Sequence, residues 1–338
     1  MVGTASRRSG WLGRRVVALA IVLGVTCPAH AQTGPYFEPQ SLDPAGYELR
    51  VSADYHDASR SDFTRPIFLM AQGLSRLHAR QLAVTFDLRL SITPSLALQI
   101  VLPWLVRDVA AEGVNLVVSA DQSLPPRSWT LSSWGLGDPT LAVGYRFWRA
   151  MPWSAYAELG ATIPIDDNPG AASLPQRVPL GTGQHELFAG IGATLDRPVA
   201  LSLNYRIGYS PGEHAAYLVR RVANQSYTSG ALGAFAHHRF NAAGELALSK
   251  LFSVRLAPSL TFMQVPLLIE RGGSRQLIHE QVAVELDLAA AVRLRLGDAH
   301  RLELRGSLPL VAATDLDPFY PIVIPARGVG IAWFFVGS

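Results

Sequence analysis

The sequence predicts an all-β protein, a transmembrane antiparallel up-and-down β-barrel of about 12 strands behind a cleaved signal peptide. Three observations predict it. The first residues read as a secretory leader. The rest of the chain alternates apolar and polar residues with period two. The connections between the alternating segments are long and short in turn.

The leader comes first along the chain. Arg7, Arg8, Arg14 and Arg15 precede an apolar run, Val16 to Val25, and then Ala29-His30-Ala31. A charged start, a short apolar stretch and a small-residue cleavage site define a signal peptide over residues 1–31. A run of this length is too short to span a bilayer, which takes roughly 20 residues. Cleavage also changes the charge. The chain has 29 basic residues, four of them in the leader, which leaves 25 against 26 acidic ones. No basic footprint for nucleic acid remains. The single cysteine, Cys27, leaves with the leader, so the mature chain has no disulfide or thiol chemistry. Residues 32–338 are expected to form the barrel.

In segment 46–57, Tyr47, Leu49, Val51, Ala53 and Tyr55 alternate with Glu48, Arg50, Ser52 and Asp54. Successive side chains of a strand point to opposite faces, so one face is apolar and the other charged. Segment 78–91 repeats this, with Leu82, Val84, Phe86 and Leu88 against Gln81, Thr85, Asp87 and Arg89. The pattern recurs over 95–107, 138–149, 153–165 and 184–196. In 199–210, Leu201, Leu203, Tyr205 and Ile207 oppose Ser202, Asn204 and Arg206. Segments 237–249 and 252–265 follow. In 279–296, Val284, Leu286 and Leu288 oppose Glu285, Asp287 and Arg293. Segments 300–311 and 324–336 complete the set. Several exceed the five or six residues usual in soluble proteins.

Connections 58–77, 108–137, 166–183, 211–236, 266–278 and 312–323 are long. Those at Thr93-Pro94, 150–152, 196–198, Lys250-Leu251 and 297–299 are tight. Long loops on one side and short turns on the other mark an outer-membrane barrel. The first connection is long, which places both termini on the short-turn, periplasmic side. Tyr47, Trp148, Trp153, Phe252, Trp333 and Phe335 fall near that side, and Tyr55, Trp104, Tyr209 and Phe262 near the other, as two aromatic girdles. In hydrocarbon every backbone N–H and C=O needs a partner, so the sheet must close. The expected partners are then outer-membrane lipid, periplasmic chaperones and the barrel-insertion machinery.

Closure sends the polar face inward. The candidate lumen residues are Arg50, Asp87, Arg89, Arg146, Glu158, Glu186, Arg206, Arg239, Glu245, Arg255, Glu285, Asp287 and Arg293, joined by Glu48, Asp54, Arg295, Arg301, Glu303 and Arg305. Every cation among them is Arg, the side chain suited to bidentate pairing with carboxylates. Two readings stay open: the pairs brace a filled barrel, or some line a polar path and sort permeants by charge.

WGLGDPTLAVGYRF, residues 134–147, has the glycines of a phosphate loop but not its context, because strand rather than helix follows. No metal-ligand spacing is present. The histidines read as solvated rim residues, and His237-His238 points its rings to opposite faces. No hydrolase constellation is recognisable. The chain is therefore expected to be no enzyme and to hold no cofactor. The long loops carry Val114-Asn115-Leu116-Val117-Val118 and Val265-Pro266-Leu267-Leu268-Ile269, which either pack together over the mouth or capture an apolar solute.

Gly135 to Phe147 begins one strand, Ile163-Pro164-Ile165-Asp166-Asp167 ends the next, and Pro179-Leu180-Gly181-Thr182-Gly183-Gln184 precedes a third. This order resembles the family named for the MetA pathway of phenol degradation, over a core of about 134–195. Where that family commonly has Pro-Thr-Gly-Asp, this chain has Ile-Pro-Ile-Asp-Asp. The resemblance implies a Gram-negative outer-membrane barrel of transporter type, located in the outer membrane. It singles out Gly135, Gly137, Asp138, Asp166, Asp167, Pro179, Gly181 and Gly183 as extracellular rim motifs. The implied function is passive passage of small, aromatic or apolar molecules, with the permeant unidentified. The alternatives are a plugged barrel with binding loops, or a lipid-acting enzyme.

Overall fold

The structure is a computed structural model. It describes residues 46–60, 76–114, 117–119, 122–123, 127–165, 180, 185–195, 199–211, 215–220, 227–271, 274–314 and 327–337. The expected leader, 1–31, lies outside them.

One antiparallel sheet of 15 segments closes on itself. Two pairs of segments are collinear pieces of single staves, and Ala215–Arg220 pairs only beyond the wall, so twelve staves form the barrel. They are β1 (Tyr47–Arg60), β2 (Arg76–Thr93), β3 (Leu96–Val114), β4 (Arg127–Leu136 continued by Thr140–Ala150), β5 (Trp153–Thr162), β6 (Glu186–Leu195), β7 (Ala200–Ser210), β8 (Tyr227–Leu232 continued by Phe235–Ala247), β9 (Phe252–Arg271), β10 (Ser274–Arg295), β11 (His300–Thr314) and β12 (Arg327–Gly337). Closure is made by β1, which pairs with β2 from Tyr47↔Leu90 and with β12 from Tyr47↔Gly337. Within the wall, among the described residues, every stave pairs with a neighbour on each side, the condition hydrocarbon imposes.

Short turns are held by local chemistry. Thr93 Oγ1 accepts the N–H of Leu96 at 3.0 Å, and Ser249 Oγ accepts that of Phe252 at 3.0 Å. Gly297, at φ 89°, supplies the left-handed residue between β10 and β11.

Burial alternates along the staves as the period predicts. In β4, Ala142, Gly144 and Arg146 are buried, while Leu141, Val143, Tyr145 and Phe147 are exposed. Outward Tyr47, Trp153 and Trp333 stand at the short-turn end, and Tyr55, Trp104 and Tyr209 at the other.

The staves are longer than the sequence reading at the long-loop end. β3 runs to Val114, not to 107, and pairs with Arg127–Leu136 inside the expected loop 108–137. β9 and β10 stay paired to Arg271↔Ser274, through the expected loop 266–278. Beyond the membrane both faces meet water, so the hydropathy alternation fades while backbone pairing continues. GLGD is consequently a break within a stave rather than the turn that starts one.

The barrel interior and its extracellular mouth

Inward side chains form three tiers. The tier nearest the short-turn end is a belt of ion pairs. Arg293 donates to Glu303 at 2.6 Å and reaches Glu245 two staves away. Arg305 makes a two-point contact with Asp54, again across an intervening stave. Arg50 approaches Glu303 at 3.8 Å. Arg89 lies 3.2 Å from Asp87 and 3.5 Å from Glu48, Gln99 donates to Asp87 at 2.8 Å, and Arg301 lies 3.5 Å from Glu48. The guanidinium groups of Arg50 and Arg293 both face the inward ring of Phe334, at 5.1 and 5.8 Å.

The middle tier crosses β5, β6 and β7. Arg206 grips Glu158 with two bonds, 2.8 and 3.0 Å, and its guanidinium lies 4.1 Å from the Phe188 ring centre. The Glu158 side chain is wholly buried. Asn204 donates from Nδ2 to the Tyr156 hydroxyl at 2.7 Å. β6 makes room with glycine. A Cβ at Gly190 would meet the Glu158 carboxylate, and one at Gly192 the Tyr156 ring.

The third tier is the mouth. Arg107 donates to Gln81 at 2.8 Å, and His237 lies 3.5 Å from Glu186. Leu180, from the β5–β6 connection, is buried with the inward Ala83 and Leu105. It sits against Gly135, where an added Cβ would stand 3.0 Å from Leu180 Cδ1 and where φ of 151° disfavours any other residue. The Gly137 N–H bonds to the Pro103 carbonyl at 2.8 Å. Asp138 Oδ1 accepts the N–H of Ile165 at 3.2 Å. Gly135 and Asp138, Ile165 and Leu180, described residues of the three segments singled out in the sequence, therefore lie at one place. Trp134, its ring tilted against Trp104 with centroids 5.9 Å apart on the outer wall, sets that place at the aromatic girdle.

The thirteen candidate lumen residues all lie on the inward face. Asp87, Arg89, Arg146, Glu158, Arg206, Glu285, Asp287 and Arg293 are buried; Arg50, Glu186, Arg239, Glu245 and Arg255 are half-buried. Of the rim motifs, Gly135, Gly137 and Asp138 are placed as described, while Asp166, Asp167, Pro179, Gly181 and Gly183 lie outside the described residues. Arg295 is exposed at the short-turn end. The histidine reading needs correction: His56 and His237 are buried inside the barrel rather than solvated. The opposed rings are as expected, with His238 on the outer wall against the Tyr205 hydroxyl at 2.8 Å.

Assigning the polar face inward missed Tyr156, Phe188 and Phe334. Their parity, shared with Glu158, Glu186 and the buried Ala332, was the signal that places them. Among the described residues no group of three or more His, Cys, Asp or Glu is arranged to hold a metal ion.

A closed wall of twelve staves, apolar outside, charged inside and girdled by aromatics, defines an outer-membrane type of β-barrel. Residues 73–246 match the family model described as "Putative MetA-pathway of phenol degradation", and the chain belongs to that family. Its fold is shared with an outer membrane channel from Pseudomonas putida F1, at 13% identity and a TM-score of 0.56, over 91% of this chain and 100% of the other. A TodX deletion mutant, a monoaromatic hydrocarbon channel, superposes at 7% identity over 94% of this chain and 93% of the other, with a TM-score of 0.42. That value does not establish a common fold. No curated protein matches the chain.

Proposed function

We propose that this protein is a passive outer-membrane channel for small, uncharged or apolar molecules, with no catalytic role. One observation carries the reading. The inward face of the barrel is largely polar, and many of its charges stand in arginine–carboxylate pairs such as Glu158–Arg206, Arg293–Glu303 and Asp54–Arg305, so a path through it presents a weak unpaired field. A narrow path of this kind favours neutral solutes, because a charged one must break existing pairs to find a counter-charge. Gly135, Asp138, Ile165 and Leu180 lie together at the mouth, where a solute would enter. The outer-membrane location, contact with its lipid, and insertion by periplasmic chaperones and the barrel-insertion machinery belong to the same proposal.

A plugged barrel is the second reading. Ion pairs that leap a stave, such as Glu158–Arg206 and Glu245–Arg293, and the seating of Leu180 inside the mouth favour it. Liposome swelling separates the two. Vesicles carrying the purified chain should swell in isosmotic small neutral solutes faster than empty ones, and equal rates would favour the plug.

A further inference from the structure

The outward side chains of β5 to β9 fall into rows set by the ladder register. One row reads Ala155, Ala193, Leu203 and Ala242, paired in that order from stave to stave. Pro258 continues it on β9. All but Leu203 are small. The row above, Ile191, Tyr205, Phe240, Leu260 and Leu286, is large throughout. The row below holds Trp153, Leu195 and Leu201, with Leu256 beyond Gly244. Small residues between two large rows make a trough on the outer wall, and the hollow there measures about 640 Å³. The wall is also slack at this place. The β8–β9 ladder passes from Asn241↔Ser259 straight to Gly244↔Leu256. The break takes in Pro258, which has no N–H to donate.

We propose that this trough holds one acyl chain of a glycerophospholipid from the periplasmic leaflet. It lies on the face that meets hydrocarbon, between the two girdles. Because the staves tilt, the row climbs from β5 to β10. Phe147, beside Trp148 of the lower girdle, lines its low end and Leu286 its high end. A lipid whose headgroup sits at that girdle can lay a chain along it. Nothing in the trough invites a headgroup. Asn204, Asn241 and Ser259 border it but turn their side chains to the interior. The Tyr205 hydroxyl at its upper edge is bonded to His238 Nδ1 at 2.8 Å. The volume is that of a small-molecule site, roughly 300–1,000 Å³. A second copy of the chain fits worse, since a stable protein interface buries roughly 1,200 Å² or more. Two such troughs face to face would also enclose a void rather than a packed seam. In hydrocarbon the bound chain gains dispersion contacts with the wall, not removal from water.

This inference rests on the membrane placement proposed above and not on conduction. Crystals of the full chain grown with phosphatidylethanolamine brominated on its acyl chains test it. Anomalous bromine density should stand in the trough. Density spread evenly round the wall, or a second copy's side chains in the trough, would overturn the site. In native mass spectrometry one phosphatidylethanolamine should stay on the detergent-released chain. Ala193→Phe with Ala242→Phe should lower its retention about tenfold, the loss of roughly ten close carbon contacts. Val329→Phe, outward on β12 and away from the trough, should leave it unchanged. Equal retention in the double variant and in wild type would contradict the site. Retention of lipopolysaccharide in place of phosphatidylethanolamine would overturn the proposal together with the assigned orientation. Evenly spread bromine would leave that orientation standing.

Discussion

At the scale of residues, the interior is governed by pairing rather than by charge as such. The Glu158–Arg206 pair is buried, bidentate and roofed by Phe188. Removing one member strands a charge that cannot reach water. Glu158→Gln should therefore destabilise the barrel by about 3–5 kcal/mol, read as a lower temperature for loss of the folded, fast-migrating form on unheated gels. A change under about 1 kcal/mol, the range of exposed pairs, would mean the site is wet. Replacing both partners with apolar residues of similar volume should restore most of the loss. Alanine at Arg146, Arg206 or Arg255 should shift the ratio of cation to anion permeability, and an unchanged ratio would remove that residue from the path. Which charged side chains face inward was legible from alternation alone. Which carboxylate each arginine takes was not. Glu245–Arg293 and Asp54–Arg305 join staves that are not neighbours, and that choice depends on the stagger of the closed wall.

At the scale of elements, the alternation and the loop lengths placed all twelve staves, because a membrane strand must keep one face apolar along its whole span. They failed where that demand ends. β3, β9 and β10 run on past the girdle, where solvent on both faces leaves no pattern to read. Leu180 was equally hidden, since its packing against Gly135 joins segments far apart in sequence. The faces make a direct prediction. Leu203 is outward and 63% exposed, and its neighbour Ser202 is inward. Leu203→Arg should cost about 2–4 kcal/mol, as a charge near the bilayer midplane does, measured by unfolding from vesicles. Ser202→Arg should cost far less. Equal costs would mean the assigned faces are wrong.

For the whole molecule, three layers of cause act in turn. Period-two sequence makes staves with two unlike faces, hydrocarbon forces them to close, and closure gathers the charges into paired tiers around an interior with a shaped mouth. The central claim is that this interior conducts. Purified full-length chain added to a planar bilayer in salt tests it most directly. Discrete, reproducible current steps are the predicted result, and a bilayer that stays sealed at high protein loading would contradict it.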